Sequence, residues 1–324
     1  MENKVYKEED NKMSIIDLHI HTTMSDGSLT PKQVIDEACK NGVSTISICD
    51  HDTIEAYTDE LFEYAKNKKI NIIQGVEIST KSKKVGIHVL GYNYNLNDRN
   101  FKDELRKIRN ARHDYLYNVS EKLKGLGYFI DFDDLDKIDA VTKAHIALNI
   151  INKKKNEPLL IKEFTHIPSK GEFIEKIMNE NCPAYVEKKT FSPKEAANII
   201  RNAGGKVVLA HPVAYVHEDN LTDEDIKDII EEMRPNGIEA NYLYVNYNND
   251  LIDETQKWNK FAKDNGLFVT VGSDFHNKDG YRPEIGFVNT KFKLNQQSIN
   301  LIMQKLGRYR HLDLGSCLKT DTVT

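Results

Sequence analysis

The sequence predicts an α/β fold with a parallel sheet, and three observations support this prediction. Short apolar segments typical of strands alternate with amphipathic segments typical of helices along most of the chain. Histidine or acidic residues stand at or directly after several of these strands, as in barrels whose chemistry lies at the carboxyl ends of the strands. Between residues 98 and 189 the alternation stops, and long charged helical patterns predict an inserted helical region.

Length and composition place the chain among ordinary globular proteins. Its 324 residues suffice for one large domain or a domain with an insertion, and its hydrophobic fraction of 39% and charged fraction of 29% are average values. The sequence has no apolar run near the roughly 18 residues of a membrane span, and its first residues lack the apolar core of a signal peptide. We therefore expect a cytoplasmic protein.

Cysteine usage and net charge argue against other classes of protein. The four cysteines are scattered without a Cys-x-x-Cys pair, which indicates reduced thiols rather than a disulfide framework or a thiolate zinc site. The formal net charge of −5 argues against a broad groove that binds long nucleic acid stably. It leaves open a short nucleotide that is held by metals and a few local cations.

The first hundred residues predict strands and helices in alternation. Residues 15–20 alternate between apolar and polar, as in a strand. A helix follows in which Thr30 is the N-cap, Pro31 occupies the first position and Gly42 ends the helix. The remaining elements of this part are a strand at 43–49, a helix to residue 68, a strand at 70–76 that carries Glu77 at its end, and a strand at 84–94.

The remaining predicted elements are the helices of the inserted region and the strands and helices that alternate after it. The insertion contributes His145 and predicts helices at 99–125, 142–154, where Thr142 is the N-cap, and 172–179. A capping box at Ser192 then opens a helix to residue 203. The later elements are strands at 206–210, 237–242 and 267–271 and helices at 222–233 and 251–265, and we expect tails at 1–13 and 309–324.

The first predicted strand carries a pair of histidines. Period-2 geometry places Asp17, His19 and His21 on one face of residues 15–20, and His-x-His at a strand end aims two imidazoles at one point, as a metal site requires. Taken alone, the pair is also compatible with a half-buried strand that has two incidental histidines. The rest of the chain decides between these alternatives.

Further histidines and acids recur at the ends of the other predicted strands. Scattered structural histidines should not fall repeatedly at one end of successive strands, whereas imidazoles with bridging carboxylates suit Zn, Mn or Fe in a multinuclear hydrolytic site. The sequence therefore predicts a metal site. Its candidate residues are His19, His21, Asp26, His51, Glu77, His88, His211, Asp274 and His276, with His145 from the inserted region.

The ordered motifs of this chain resemble those of the PHP (polymerase and histidinol phosphatase) phosphoesterases. They are Asp-Leu-His-Ile-His at 17–21, Ser-Asp-Gly at 25–27, Asp-His-Asp-Thr at 50–53, Glu77, His88, Ala-His-Pro at 210–212 and Gly-Ser-Asp-Phe-His at 272–276. The resemblance covers residues 14 to 290. It implies a distorted (β/α)7 PHP barrel over 14–97 and 190–308, with 98–189 as a mainly helical inserted cap.

The same resemblance implies two or three divalent metal ions. The implied ligands are His19, His21, Glu77 and Asp274 for the first ion, Glu77, His88 and His145 for the second, and Asp26, His51 and His276 for the third. Glu77 would therefore bridge two ions. Histidine and carboxylate ligands suit Mn, Zn and Fe alike, so the sequence does not predict which element is bound.

Motifs in and after the cap resemble one subgroup of this family. Lys-Ala-His-Ile-Ala at 143–147, Pro-Ala-Tyr-Val at 183–186 and the Gly-Gly segment at 204–212 look like enzymes that act on nucleotide phosphates. These include nucleoside 3′,5′-bisphosphate phosphatases and 5′-to-3′ exoribonucleases of short RNA. The subgroup usually has Arg where this chain has Lys143. This exchange is not neutral, because Arg binds phosphate bidentately through two hydrogen bonds whereas Lys acts as a point charge.

The resemblance implies hydrolysis of a phosphate monoester, or of a terminal phosphodiester, by a metal-bridging hydroxide that attacks phosphorus in line. In this hypothesis Glu77 holds the bridging metals, and His211 contacts the phosphate or protonates the leaving group. The alternative for His211 is a supporting role in the turn beside Pro212. Lys143 and Arg282 are candidate phosphate-binding cations, and each could equally be a solvated surface charge.

Two other functions remain open at this stage. A histidinol-phosphate phosphatase would share the barrel and the metals, but the cap motifs argue against it. A non-catalytic metal-binding PHP module would share the fold, but such modules tend to lose ligands, and all nine ligand types are present here.

Four acids near the candidate ligands have several interpretations. Asp17 is expected to hold an imidazole or a turn, and Asp50 and Asp52 to orient His51 or cap a helix. Glu239 is either an acid that supports a ligand or a residue of the barrel interior. The remaining histidines, His113, His166, His217 and His311, fit no motif.

Overall fold

The computed structural model describes residues 15–82, 85–136, 138, 141–187, 191–246, 249–278, 283–289 and 294–307. The candidate Arg282 and the predicted tails lie outside these residues. The chain divides into two compact units, Met1–Leu105 with Phe191–Thr324, here called the sheet unit, and Arg106–Thr190, the helical unit. The division falls inside a long helix, whereas the predicted insertion begins before that helix.

The sheet unit contains the main sheet and a small hairpin. The strands are β1 Ile16–Ile20, β2 Thr45–Ile48, β3 Asn71–Ser82, β4 Val85–Tyr92, β5 Lys206–Leu209, β6 Gly237–Asn241, β7 Tyr244–Val245, β8 Leu251–Ile252 and β9 Phe268–Val271. Within the described part of the chain, the main sheet has seven strands in the order β1-β2-β3-β4-β5-β6-β9, and β7 pairs with β8. The predicted α/β class is confirmed.

The main sheet is parallel except around β4. This strand runs antiparallel to both β3 and β5, because β3 and β4 follow each other directly instead of being joined by a crossover helix. The prediction that Glu77 ends its strand is wrong, since β3 continues to Ser82 and places Glu77 in its interior. Glu77 still lies level with the end of β2, where it forms a parallel bridge with His51.

The two edges of the main sheet meet through the segment that follows β9. The backbone N–H of His21 donates to the Phe275 carbonyl at 2.9 Å, and the N–H of Asp274 donates to the His19 carbonyl at 2.8 Å. The strand ladder itself is not continuous between β1 and β9. The curvature nevertheless brings residues from both edges of the sheet, and from its centre, to one place.

Two helices of the sheet unit, α1 Pro31–Lys40 and α8 Pro193–Asn202, begin at the predicted caps. The other helices before the insertion and after it are α2 Asp59–Asn67, α9 Pro212–Glu218, α10 Asp223–Met233, α11 Thr255–Asp264 and α12 Gln296–Lys305. Thr30 and Ser192 form capping boxes, and Gly42 follows α1 with φ +73°. The predicted helix at 251–265 begins four residues later, because 251–252 form β8.

The apolar faces of these helices cover the sheet. Ile20, Val34 and Ile46 belong to one buried cluster, in which α1 and α2 pack on β1 and β2. Leu18 and Ile302 belong to a second cluster, which joins residues of β1 and α12. β1 is therefore buried throughout, which fixes the backbone that carries the His-x-His pair.

The helical unit consists of α3 from residue 106 onward and the helices that follow it. Its elements are α3 Arg99–Gly125, which begins in the sheet unit, α4 Phe132–Asp136, α5 Lys143–Ile151, α6 Glu157–Phe164 and α7 Lys170–Phe173, which continues as a π-helical turn at Ile174–Met178. Leu116, Val119, Ile146 and Phe173 belong to its own buried core. None of the helices in the described residues combines the length and apolar character that crossing a membrane would need.

Candidate metal centre

Four side chains from three parts of the sheet unit converge on one point. His19 Nε2 and His21 Nε2 are 3.1 Å apart, and each lies 3.2–3.4 Å from Glu77 Oε2. Asp274 Oδ1 lies 3.3 Å from the first nitrogen and 3.1 Å from the second. Bonds of roughly 2.0–2.1 Å to a tetrahedral ion give ligand–ligand edges of about 3.3–3.4 Å. The spacing of these donors therefore fits one small divalent cation.

The local backbone explains why these four meet. His19 and His21 share one face of β1, while the segment after β9 crosses the end of β1 and brings Asp274 with it. Asp274 adopts φ +53°, which turns its side chain back towards the strand. Gly272 allows this close approach, because a Cβ there would lie 2.3 Å from the Cβ of His19 and from Glu239 Oε1.

Glu77 lies at the centre of the site. Besides its contacts with the first two histidines, its Oε2 lies 3.2 Å from His51 Nδ1. Its Oε1 lies 3.0 Å from His88 Nδ1 and 3.2 Å from His211 Nε2. Both oxygens of this buried carboxylate thus face imidazole nitrogens, which is the arrangement that a bridging ligand requires.

A third group of donors lies beside the first. Asp26 Oδ2 is 3.2 Å from His276 Nε2 and 3.8 Å from His51 Nε2, and Asp26 Oδ1 is 3.3 Å from His21 Nδ1. His51 therefore presents one nitrogen to Asp26 and the other to Glu77. The resemblance implied that this imidazole binds the third ion alone, but the geometry allows it to belong to either group.

Hydrogen bonds orient two of the imidazoles for metal binding. His19 Nδ1 lies 3.1 Å from Glu239 Oε1 and 3.2 Å from Oε2, so its N–H donates to this carboxylate and leaves Nε2 as the free donor atom. His276 Nδ1 donates to the Asp274 carbonyl at 2.8 Å and leaves Nε2 facing Asp26. Glu239 is thus an acid that supports a ligand, one of the two roles that the sequence left open.

Charge at the site is concentrated and buried. Burial lowers the pKa of His19, but the carboxylates of Glu239, Glu77 and Asp274 outweigh it and raise this pKa well above its ordinary value. Burial likewise raises the pKa of Glu77, yet the surrounding imidazoles hold it well below its ordinary value. A divalent cation can take the place of the imidazole protons between these carboxylates. The donor set therefore fits divalent metal binding.

His211 lies against the same carboxylate. Its backbone has φ +22°, just before α9, and its N–H donates to Glu239 Oε2 at 3.0 Å. The ring is 6% exposed, and its Nε2 faces Glu77, whereas Nδ1 has no hydrogen-bond partner among the described residues. The Tyr215 and Tyr242 rings lie 5.3 and 5.4 Å from it. His211 thus belongs to the site through Glu77 and not only through the turn beside Pro212.

The three acids that flank ligands in the sequence hold backbone segments. Asp17 accepts from the N–H groups of Ser273 and Gly286 at 3.0 and 2.8 Å, so it anchors the turn rather than an imidazole. Asp50 accepts from the Thr22 N–H at 2.7 Å and from the Ser25 hydroxyl at 2.7 Å, and thereby holds the loop that carries Asp26. Asp52 accepts from the Ser79 N–H at 3.0 Å.

Residues 143 and 145 occupy the first turn of α5 in the helical unit. Thr142 caps this helix reciprocally, since its hydroxyl accepts from the His145 N–H at 3.3 Å and its own N–H donates to His145 Nδ1 at 3.3 Å. Lys143 Nζ donates to Asn179 Oδ1 at 3.0 Å and lies 5.8 Å from the Tyr185 ring. The assignment of His145 to the second ion stays a prediction.

Two polar residues that contact candidate ligands were not predicted from the sequence. Tyr242 donates to Asp274 Oδ2 at 3.3 Å, and Ser79 Oγ lies 3.3 Å from His51 Nδ1. Tyr242 follows β6 directly, and this position at the carboxyl end of a strand is the signal that could have identified it. Ser79 lies in the continuation of β3 that the sequence did not predict.

Comparison with known proteins points to one family. The PHP domain family matches residues 17–248. A "5'-3' exoribonuclease" of Haemophilus influenzae is 29% identical over 80% of this chain and 89% of its own, and a "3',5'-nucleoside bisphosphate phosphatase" of Chromobacterium violaceum is 27% identical over 82% and 88%. A solved Bifidobacterium adolescentis structure, of a candidate metal-dependent phosphoesterase, shares the fold with a TM-score of 0.61 and 22% identity over 90% and 96% of the two chains.

Proposed function

This chain belongs to the PHP family of metal-dependent phosphoesterases, and we propose that it hydrolyses a phosphate monoester or terminal phosphodiester of a small nucleotide or short RNA. The convergence of His19, His21, Glu77 and Asp274 at 3.1–3.4 Å carries this proposal, because it provides a cation site at the centre of the fold. The names of the exoribonuclease and bisphosphate phosphatase relatives support the substrate class.

We assign two or three ions of Mn, Zn or Fe to the donor groups described above. The first ion has His19, His21, Glu77 and Asp274. For the second, Glu77 and His88 are joined by His145 or by His51, whose Nδ1 faces the same carboxylate. The third has Asp26, His51 and His276. Divalent ions supply Lewis-acid chemistry here, which makes water a nucleophile near neutral pH and offsets the charge of the phosphate.

The side chains contribute orientation and proton transfer. Glu239 keeps the proton of His19 on Nδ1, so that Nε2 faces the other donors. His211 hydrogen-bonds Glu77 through Nε2, and in this proposal its side chain contacts the phosphate or protonates the leaving group. Lys143 and Arg282 supply positive charge to the substrate phosphate in this proposal.

Phosphate release by the metal-loaded protein tests the proposed function. The full chain is loaded with Mn, Zn or Fe in turn and given adenosine 3′,5′-bisphosphate, a 5′-phosphorylated RNA oligomer or histidinol phosphate. We expect turnover of at least one of the two nucleotide substrates. Release of inorganic phosphate from the oligomer indicates a phosphatase, and release of mononucleotides indicates an exoribonuclease.

Two outcomes would contradict this proposal. If no metal supports turnover while the protein still binds the metal, the chain is a non-catalytic member of the family. If histidinol phosphate is the best substrate, the assignment to nucleotides is wrong and the phosphoesterase activity remains.

A further inference from the structure

One face of α3 in the helical unit combines basic and aromatic side chains. Arg106, Arg109, His113 and Tyr117 follow one another at spacings of three or four residues, which places them within about 80° of one another around the helix. We call these four residues the α3 stripe. Tyr117 is 52% exposed, and the His113 side chain is 54% exposed. The stripe is therefore a surface feature and not part of the core.

The stripe borders a cavity of about 110 Å³ within the same unit. Arg109 and His113 line it from the stripe, and Arg112 adds a second guanidinium. The remaining lining residues are Leu116, Asp136, Ile138 and Val141. Among the described residues, the cavity thus has a side with basic groups and the carboxylate of Asp136, which lies 3.7 Å from His113 Nε2, and an apolar wall. A phosphate oxygen suits the side with basic groups, and the edge of a sugar or a base suits the apolar wall.

Charge is distributed unequally between the two units. Residues 106–190 contain 16 Lys and Arg against 13 Asp and Glu, a net charge of +3, whereas the rest of the chain has 29 against 37, a net charge of −8. Between Arg106 and His113 four cations and a histidine occur without an acid. The helical unit therefore has the more positive net charge of the two.

From this combination we propose that the α3 stripe and its cavity bind a short single strand of RNA. Phosphates would contact Arg106, Arg109 and Arg112, and one base would stack on Tyr117. Basic side chains that follow a backbone, with an aromatic ring as a stacking platform, are how proteins hold single strands without reading sequence. The inference rests on the proposed function, since short RNA is the substrate class proposed there.

Binding to the metal-free full chain tests this inference apart from catalysis. The fluorescence anisotropy of a labelled, 5′-phosphorylated RNA hexamer is measured in EDTA at several salt concentrations. For Arg109→Ala with Arg112→Ala we expect weaker binding, with a slope of log affinity against log salt reduced by about 1.4. Tyr117→Ala should weaken binding about fivefold or more, and Tyr117→Phe should restore it, because a phenyl ring still stacks.

A matched control removes two other positive charges from the same unit. Lys154→Ala with Lys162→Ala changes exposed lysines outside the stripe and should alter the affinity less than twofold. Thermal unfolding of each variant checks that it is folded. Equal losses in the control and arginine variants would overturn the inference, because binding would then depend on net charge alone. Competition by an acidic peptide as strong as that by RNA would also overturn it.

Failure of this inference differs from failure of the proposed function. A protein that hydrolyses the nucleotide substrates but binds RNA equally well with and without the two arginines retains its proposed activity and has no RNA site at the α3 stripe. A protein that binds RNA through the stripe but turns over no phosphate ester supports the RNA site and contradicts the proposed function.

Discussion

The two units of this chain differ in how deeply their polar side chains are buried. In the sheet unit, imidazoles and carboxylates are buried against one another, and Asp17, Asp50 and Glu239 fix the segments that carry them. In the helical unit, charged groups lie mostly at the surface, and its two candidate site residues are positioned by a helix cap and by Asn179. The buried donor groups that our proposal assigns to metal binding therefore lie in the sheet unit, and Lys143, the described candidate phosphate-binding cation, lies in the helical unit.

The buried group should depend on Glu77 more than on any other side chain. Glu77→Gln should lower kcat/KM for adenosine 3′,5′-bisphosphate by about 1000-fold or more, because a bridging charge that holds two ions is lost. Metal analysis after dialysis should show two ions fewer per chain. Asp26→Asn, which removes a carboxylate of the third group, should lose one ion.

Equal metal loss in the Glu77 and Asp26 variants would contradict the bridging role. It would also weaken the contrast between the units, since no single residue of the sheet unit would then organise the site.

Glu239 provides a test of how the sheet unit orients its ligands. Glu239→Gln should lower metal affinity by about 10- to 100-fold, because the amide no longer holds the His19 Nδ1 proton with a full charge. Affinity is measured by competition with a chelator of known strength. The matched control is Glu254→Gln, which changes a carboxylate 3.0 Å from His217 Nε2 outside the candidate donor groups. A change as large in the control variant as in the Glu239 variant would show that orientation of His19 is not the cause.

The buried charges also predict how the metal-free protein responds to acid. Glu77 and Asp274 have pKa values well below their ordinary 4.5 and 3.8, because the surrounding imidazoles outweigh the opposing effect of burial. Their stabilising contribution is complete above those ordinary values and is lost as the pH falls through the lowered ones. The raised pKa values of His19 and His21 act oppositely, since their contribution is lost as the pH rises.

We therefore expect the urea midpoint of the metal-free protein to decrease as the pH falls below about 4.5. Glu77→Gln should show a smaller decrease over the same range. A midpoint that stays constant from pH 6 to pH 3, or an equal decrease in the variant, would mean that the cluster contributes no pH-dependent stability.

Local features of the structure could be predicted from the sequence. Thr30, Thr142 and Ser192 cap their helices as expected, because a cap depends on residues three positions apart. The periodicity of β1 likewise identified the His-x-His pair. The ordered motifs identified the family even though the residues that form the site are far apart in the chain.

Features that depend on distant pairing could not be predicted. The role of Glu239 remained open because its partner His19 is 220 residues away, and His211 meets Glu77 across 134 residues. The extension of β3 through Glu77 depends on its pairing with β4, and the late start of α11 depends on the β7–β8 pair. In each case a tertiary contact decides what local propensity leaves undetermined.

Lys143 offers the smallest but most direct test of recognition by the helical unit. Lys143→Arg should raise kcat/KM for adenosine 3′,5′-bisphosphate by about fivefold, or ~1 kcal/mol, because a guanidinium can bind phosphate through two parallel hydrogen bonds. Lys143→Met, which keeps the length but removes the charge, should lower it. In the structure Lys143 donates to Asn179, so Asn179→Ala removes this hydrogen bond without removing the charge of the lysine. If the Arg and Met variants both match the unaltered protein, Lys143 is a surface charge, and recognition of the phosphate by the helical unit must depend on other residues.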